Sequence, residues 1–257
     1  AIFSMKKPLI LICNDDGVTA PGIQSLIEAV RDLGDIMVVA PDKPQSGTGH
    51  GITLNATLRM QKIREEEGLK VCSCSGTPVD CIKLAIFKME MKPAIILSGI
   101  NHGSNASINV IYSGTMSAAV EGALENVPSI GFSLLDHSID ADFTAAKGIA
   151  RQITIKAIEE GLPKGVCLNV NIPKLHAEEI AGIKVCRQAK GNWEEEFEAR
   201  KDPMGNEYFW LTGTFNNQDH GEDTDIWALE NNYVSVVPVQ HDLTAHTALS
   251  EINNWDL

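Results

Sequence analysis

Short runs of Ile, Val and Leu recur along this chain, apolar at nearly every position rather than at every second one. They occupy residues 9–13 (LILIC), 36–40 (IMVVA), 94–98 (AIILS), 129–133 (SIGFS) and 166–172 (VCLNVNI). Longer segments of helical period lie between them, at 21–34, 77–90, 113–125 and 141–161. A strand apolar on both faces has to be covered on both faces, which a parallel sheet between two layers of helices provides. The alternation therefore predicts an α/β fold, doubly wound with a mostly parallel sheet. Helix starts agree with it. Pro21 suits a first turn, where its missing N–H costs nothing, and Thr77-Pro78-Val79-Asp80 sets a cap, a first-turn Pro and an acid in capping-box order.

Beyond about residue 180 the texture changes. Residues 192–215 read as two strands around the turn DPMGN, 233–239 as a strand returning to the core, and 248–255 as a short terminal helix or tail. The expected organisation is an α/β core over 5–185 and a C-terminal extension over 186–257, comprising the hairpin, the returning strand and a tail from 240 to 257. Met5 followed by Lys6 and Lys7 reads as a natural start, so residues 1–4 take no part in this reading.

The net charge of -13 argues against a binder of duplex nucleic acid, which needs clustered Lys and Arg to displace counterions. No apolar run approaches the roughly 20 residues of a membrane-spanning helix. The 6 cysteines form no Cys-x-x-Cys pair and sit mostly in apolar segments, an arrangement expected of free thiols in a reducing cytoplasm.

In a doubly wound sheet the loops after the strands' carboxyl ends share one edge, where ligands bind. On that edge the sequence places Asn14, Asp15 and Asp16 after the first strand. Ser46 follows the second, Asn101 and Asn105 follow the strand ending near Ser98, and Ser113-Gly114-Thr115 opens a helix. Adjacent carboxylates repel unless a cation or donors compensate, and hard divalent ions take carboxylate, hydroxyl and amide oxygens. Asp15, Asp16, Ser46 and Asn101 supply that set, and Gly17 allows the turn that aims both acids at one point. Taken alone, Asn-Asp-Asp-Gly is equally a turn sequence, Ser46 a turn serine, and Asn101 and Asn105 residues that tolerate a left-handed backbone. Ser113-Gly114-Thr115 offers hydroxyls and free N–H groups to an anion, or is a plain helix cap. Residues 46–51 (SGTGHG) match neither dinucleotide nor P-loop fingerprints. The histidines have no zinc spacing, and there is no Gly-x-Ser-x-Gly elbow.

Taken in order, NDDGVTAPGI, APDKPQSG, GTPVDCIKLA, SGINHGSN, YSGTMSAAVEGA and YVSVVPVQHDLTAH resemble the SurE (survival protein E) family of metal-dependent phosphatases, from about residue 9 to 246. The resemblance implies a Rossmann-like core and hydrolysis of nucleoside 5′- and 3′-monophosphates, with short polyphosphate as a further substrate. It implies one divalent cation per subunit, Mg²⁺ or Mn²⁺, on Asp15, Asp16, Ser46 and Asn101, the set chosen above on chemical grounds. It places Asn105 and Ser113-Gly114-Thr115 near the phosphate, and His246 at the active site. Ser107 stands where the commoner pattern has Gly and Asn109 where it has Asp, which bears on the loop's path and on substrate preference.

The expected activity is phosphate release from nucleotides, with Asp15 in the catalytic centre and His246 as general acid for the leaving ribose oxygen. Two rivals remain at this point: a haloacid-dehalogenase-like phosphatase in which Asp15 is the nucleophile, and a nucleotide-binding module without turnover. Trp193, Phe197, Tyr208, Phe209, Trp210 and Phe215 crowd into the hairpin, and exposed aromatic surface marks an interface. The resemblance points the same way, towards a homodimer or homotetramer whose C-terminal segments are exchanged, with His246 reaching a neighbouring subunit's site.

Overall fold

The first strand lies in the middle of the sheet, and the site depends on that position. A computed structural model describes residues 7–255; Met5 and Lys6, with the start they suggest, and residues 256–257 of the tail lie outside the described residues. In chain order the elements are β1 (Leu9–Cys13), α1 (Pro21–Val30), β2 (Asp35–Pro41), β3 (Met60–Glu66), β4 (Leu69–Cys74), α2 (Pro78–Lys88), β5 (Ile95–His102), α3 (Gly114–Leu124) and β6 (Ser129–Leu134). They continue as α4 (Thr144–Glu160), β7 (Val166–Ile172), β8 (Gly182–Val185), β9 (Gly191–Lys201), β10 (Glu207–Asn217), α5 (Asp225–Glu230), β11 (Tyr233–Gln240) and α6 (Leu249–Ile252).

A nine-stranded sheet runs in the order β3-β4-β2-β1-β5-β6-β7-β11-β8. The strands from β4 to β7 are mutually parallel, while β3 and β11 pair antiparallel to β4 and β7. This is the Rossmann-like, doubly wound α/β arrangement expected from the alternating runs. The chain leaves β1 towards β2 on one side and later returns to β5 on the other, so a topological switch point opens between the carboxyl ends of β1 and β5.

Side-chain alternation on β1 divides the core. Ile10 and Ile12 pack with Ile23 and Leu26 of α1 and with Ala146 and Ala150 of α4, whereas Leu11 and Cys13 pack with Ile82 of α2 and Ala118 of α3. Thr77 caps α2 as the sequence suggested: its hydroxyl accepts from Asp80 N at 3.1 Å, and Asp80 accepts from Thr77 N at 2.9 Å. Helix α1 comes so close to the sheet edge that a Cβ on Gly22 would lie 1.9 Å from the Ile100 carbonyl oxygen.

The hairpin stands apart as a two-stranded sheet of β9 and β10, its register pairing Trp193 with Phe215 and Lys201 with Glu207. Asp202 closes the turn by accepting from Met204 N at 2.8 Å and Asn206 N at 2.9 Å. The sequence reading left β3, β4, β8 and α5 unassigned. In β3, MQKIREE is exposed at every position but the first, so no burial pattern announces it.

Two glycines give opposite predictions. Gly22→Ala forces α1 away from Ile100 and is expected to cost about 1–3 kcal/mol. A Cβ added at Gly148, inside α4, would meet nothing within 4 Å, and Gly148→Ala is expected to stabilise by roughly 0.5–1 kcal/mol. Urea unfolding of the two variants beside the parent checks both signs.

Candidate active site

Asp15 continues the alternation of Leu11 and Cys13 and therefore turns towards the α3 side of the sheet. There it is almost fully buried, and its Oδ1 accepts the Thr115 hydroxyl at 2.6 Å. The Thr115 backbone N–H also donates to it, so the carboxylate caps the N-terminal end of α3, where the helix dipole favours negative charge. The approach is possible because Gly114 lacks a side chain: a Cβ there would lie 2.7 Å from the Asp15 Cβ and 3.0 Å from Oδ2. Ser113 is the helix N-cap, its Oγ accepting from Met116 N at 3.0 Å. Of the two hydroxyls of the Ser113-Gly114-Thr115 turn, that of Thr115 thus donates within the protein, while that of Ser113 accepts and keeps its O–H to donate.

Asp16 lies beside Asp15 and is less buried. Its Oδ2 accepts from His102 N at 3.4 Å, which joins the end of β1 to the end of β5. Burial pushes the Asp15 carboxyl up to about 6; the Thr115 hydroxyl opposes that rise and the Asp16 charge adds to it. Burial raises Asp16 as well. Among the described residues no Lys or Arg forms an ion pair with either acid.

Ser46 and Asn101 each stand next in the chain to a residue bonded to this pair, Gln45 to Asp15 O and His102 to Asp16 Oδ2. An irregularity in the β5–β6 register between Ser98 and Asn101 precedes Asn101, whose Nδ2 donates to Gly103 O at 2.9 Å, leaving Oδ1 as the amide's acceptor end. Ser46 is exposed in the loop after β2. Gln45 N ties that loop to Asp15 O at 2.7 Å, and further along Gly49 N reaches Tyr112 O at 3.1 Å. His50 Nε2 meets the buried Glu121 of α3 at 3.0 Å, and Lys83 Nζ meets the same carboxylate at 2.5 Å.

Asn105 is buried and held on all sides. Its N–H donates to Asn171 Oδ1 at 2.8 Å, its C=O accepts from Asn169 Nδ2 at 2.8 Å, and its own Nδ2 donates to Ser133 Oγ at 2.7 Å. Asn169, Asn171 and Ser133 are site-supporting residues that the sequence reading passed over. The signal available was two asparagines two residues apart in an otherwise apolar strand. His246 is exposed in a short 3₁₀ turn, paired with Asp242 at 2.8 Å; among the described residues no hydrogen bond joins it to Asp15, Asp16, Ser46 or Asn101.

The chemistry of the donors fits a hard divalent cation. Among the described residues no three His, Cys, Asp or Glu side chains form a metal-binding group, so any cation here relies on two carboxylates supplemented by neutral oxygens. Asn14 gives independent support: its Nδ2 donates to Gly17 O at 2.9 Å, and its buried Oδ1 has no partner in the protein.

The family profile for survival protein SurE matches residues 10–195. The chain belongs to the SurE family. A protein named 5′-nucleotidase SurE from Flavobacterium psychrophilum is 58% identical over 255 residues, covering 98% of this chain and 99% of that protein. A protein of the same name from Chlorobaculum tepidum is 44% identical over 253 residues, covering 98% and 96%. The crystal structure of the SurE protein from Aquifex aeolicus superposes with a TM-score of 0.83 at 40% identity, over 96% of this chain and 98% of that one. Membership of the SurE family covers nearly the whole chain, hairpin and returning strand included.

Burial of the Asp15 carboxylate carries a cost in stability when no cation is bound. The folded Asp15 carboxyl, raised from 3.8 to about 6, binds its proton more tightly than the unfolded chain does. Stability therefore falls as pH rises through that window, and the penalty is complete above about 6, on the order of 3 kcal/mol at most. In chelator at pH 8, Asp15→Asn is expected to be more stable than the parent, and the difference is expected to vanish near pH 4. Denaturant melts at the two pH values test this.

Proposed function

We propose that this SurE-family chain is a metal-dependent phosphomonoesterase that hydrolyses nucleoside 5′-monophosphates, and 3′-monophosphates and short polyphosphate with them, to free phosphate. One observation carries the reading: two adjacent carboxylates, Asp15 buried against the N-terminus of α3 and Asp16 partly buried, sit at the switch point, and among the described residues no Lys or Arg forms an ion pair with either. The names of the relatives, 5′-nucleotidase SurE, support the substrate class.

Asp15, Asp16, Ser46 and Asn101 are the residues that would hold a divalent ion, Mg²⁺ or Mn²⁺. Bound there, such an ion supplies positive charge to the phosphoryl group and lowers the pKa of water. The chain's own contribution is placement. Thr115 fixes Asp15, His102 N steadies Asp16, and the Gln45 and His50 contacts hold the Ser46 loop over the same edge. The Thr115 hydroxyl donates to Asp15, whereas Ser113 Oγ only accepts from Met116 N and keeps its own O–H; the phosphate oxygens would take that hydroxyl, the first-turn backbone N–H of Gly114 and the Asn105 loop. The clamp from Asn169 and Asn171 sets that loop.

His246 serves as general acid for the leaving ribose oxygen in a neighbouring subunit's site. Its exposure, its place in the tail and its distance in the chain from the other residues fit an exchanged C-terminal segment in a homodimer or homotetramer. Leu243, Leu249, Ile252 and Trp255 of the same tail expose apolar surface that a neighbour would cover. The free cysteines fit a cytoplasmic, reducing setting. No helix among the described residues is long and apolar enough to cross a membrane.

Phosphate release from a panel of nucleoside monophosphates, assayed with Mg²⁺, Mn²⁺, Co²⁺, Zn²⁺ or chelator, is expected to show turnover that depends on metal. Asp16→Asn is expected to lower kcat/KM by at least a hundredfold without loss of fold, and Ser46→Ala to lower it less. Metal-independent turnover, or a phospho-aspartate trapped during the reaction, defeats the proposal.

A further inference from the structure

Glu121, on α3, is a buried carboxylate to which the roles assigned above give no part of its own. Its side chain is 3% exposed and meets two others: Lys83 Nζ of α2 at 2.5 Å, and His50 Nε2, from the loop after β2, at 3.0 Å. We propose that Glu121 is a positioning residue for the cation site, fixing through His50 the turn that carries Ser46, while Lys83 compensates its buried charge. The proposal rests on the metal-dependent reading and adds to it the device that holds the neutral hydroxyl ligand in place.

Ser46 does not lie against the core. It is exposed, and a Cβ on the adjoining Gly47 would meet nothing within 4 Å. Its position is therefore set by the bonds of its neighbours. On one side Gln45 N donates to Asp15 O at 2.7 Å; on the other Gly49 N donates to Tyr112 O at 3.1 Å and His50 meets Glu121. Thr48 Oγ1 donates back to Gln45 O at 2.9 Å and draws the span between them into a turn. Both sides lead to the same helix. Thr115 in the first turn of α3 is bonded to Asp15 at 2.6 Å, Tyr112 immediately precedes the Ser113 cap, and Glu121 lies within α3 itself. Helix α3 is thus the common frame for Asp15 and for the turn that carries Ser46.

The two partners of Glu121 divide the work. Burial pushes its carboxyl up, and the His50 and Lys83 contacts more than reverse that, so it lies below its ordinary value. A buried ion recovers its lost hydration only from well-placed partners, and Lys83 supplies one from a helix, independently of the loop. His50 comes from the loop, so its bond is the one that acts on Ser46. Beyond residue 50 the chain is held by α2 instead, where Thr77 Oγ1 donates to Gly51 O at 2.7 Å and Thr53 Oγ1 to Asp80 Oδ2 at 2.6 Å. Loss of the His50 contact therefore loosens the Ser46 turn without releasing the whole loop.

Calorimetric titration of the full-length protein with Mn²⁺, without substrate, tests this. His50→Ala is expected to weaken Mn²⁺ binding about fivefold, and His50→Gln, whose amide keeps a donor for Glu121, to bring it back to within about twofold of the parent. Lys83→Met is expected to do the reverse, lowering the urea midpoint while leaving Mn²⁺ affinity within about twofold. Glu121→Met keeps the length of the side chain and removes the acceptor; in that background His50→Ala is expected to cost nothing further. If Glu121→Met does not fold, the two His50 variants decide by themselves. In the metal-free protein, amide exchange over residues 46–49 is expected to quicken about tenfold in His50→Ala. Unchanged Mn²⁺ affinity in His50→Ala, or equal weakening in His50→Ala and Lys83→Met, overturns the positioning role and leaves the phosphatase reading intact. Unchanged exchange overturns the hold on the Ser46 turn whatever the metal does. A parent that binds no Mn²⁺ defeats the metal-dependent reading, and this proposal with it.

Discussion

Burying a carboxylate under the first turn of a helix is the constraint on which the rest of this structure turns. Asp15 loses nearly all its water at the end of β1 and gains in return two donations from Thr115 and the positive end of α3. Those partners do not fully compensate it, since its carboxyl remains raised. The requirements then run outward through the fold. Gly114 has to lack a side chain so that α3 can come this close, and β1 has to be central so that both helical layers and both neighbouring strands can frame the acid. A cation is the group that such an arrangement leaves room for. On the proposed reading, the deficit that weakens the chain without a metal would favour a bound cation, a common exchange between stability and function.

Site loops in α/β proteins are exposed, yet here each one is tied down by a bond to a buried group. The loop after β2 is held by Asp15 O at one point and by Glu121 of α3 at another. The loop after β5 is clamped at both its N–H and its C=O by Asn171 and Asn169. Donors aimed in advance act on developing charge without reorganising, so on the proposed reading this tethering would serve the chemistry as well as stability.

The sheet was legible because its central strands are apolar on both faces; LILIC and IMVVA admit few other environments. The acids at 15 and 16 were legible for the complementary reason, since charge following such a run has to be compensated. Polar elements at the margins were not. The exposed edge strand β3 reads like a solvated loop, and the four-residue β8 carries no pattern long enough to count. The partner of Thr115 was hidden as well. A hydroxyl at a helix start suggests a phosphate contact, and only the close approach at Gly114 shows that it reaches a carboxylate 100 positions away. Asn169 and Asn171 were read as part of an apolar strand, because sequence does not show that two amides on one strand face arrive opposite a loop's backbone.

Ser107 joins the loop after β5 to the C-terminal extension. Its φ of 54° lies in the left-handed region that favours glycine, the residue of the commoner pattern at this position. A side chain there carries a conformational cost, and here it is offset by the two hydrogen bonds its hydroxyl makes to the hairpin root, at Ala189 O and Gly191 N. Asp225, fully buried at the start of α5, completes the junction: one carboxylate oxygen accepts from Ser107 N and the other from Ala189 N. A glycine at 107 would adopt the same backbone more easily but would lose the hydroxyl bridge. In this chain, therefore, the loop after β5 is bonded to residues more than 80 positions further on.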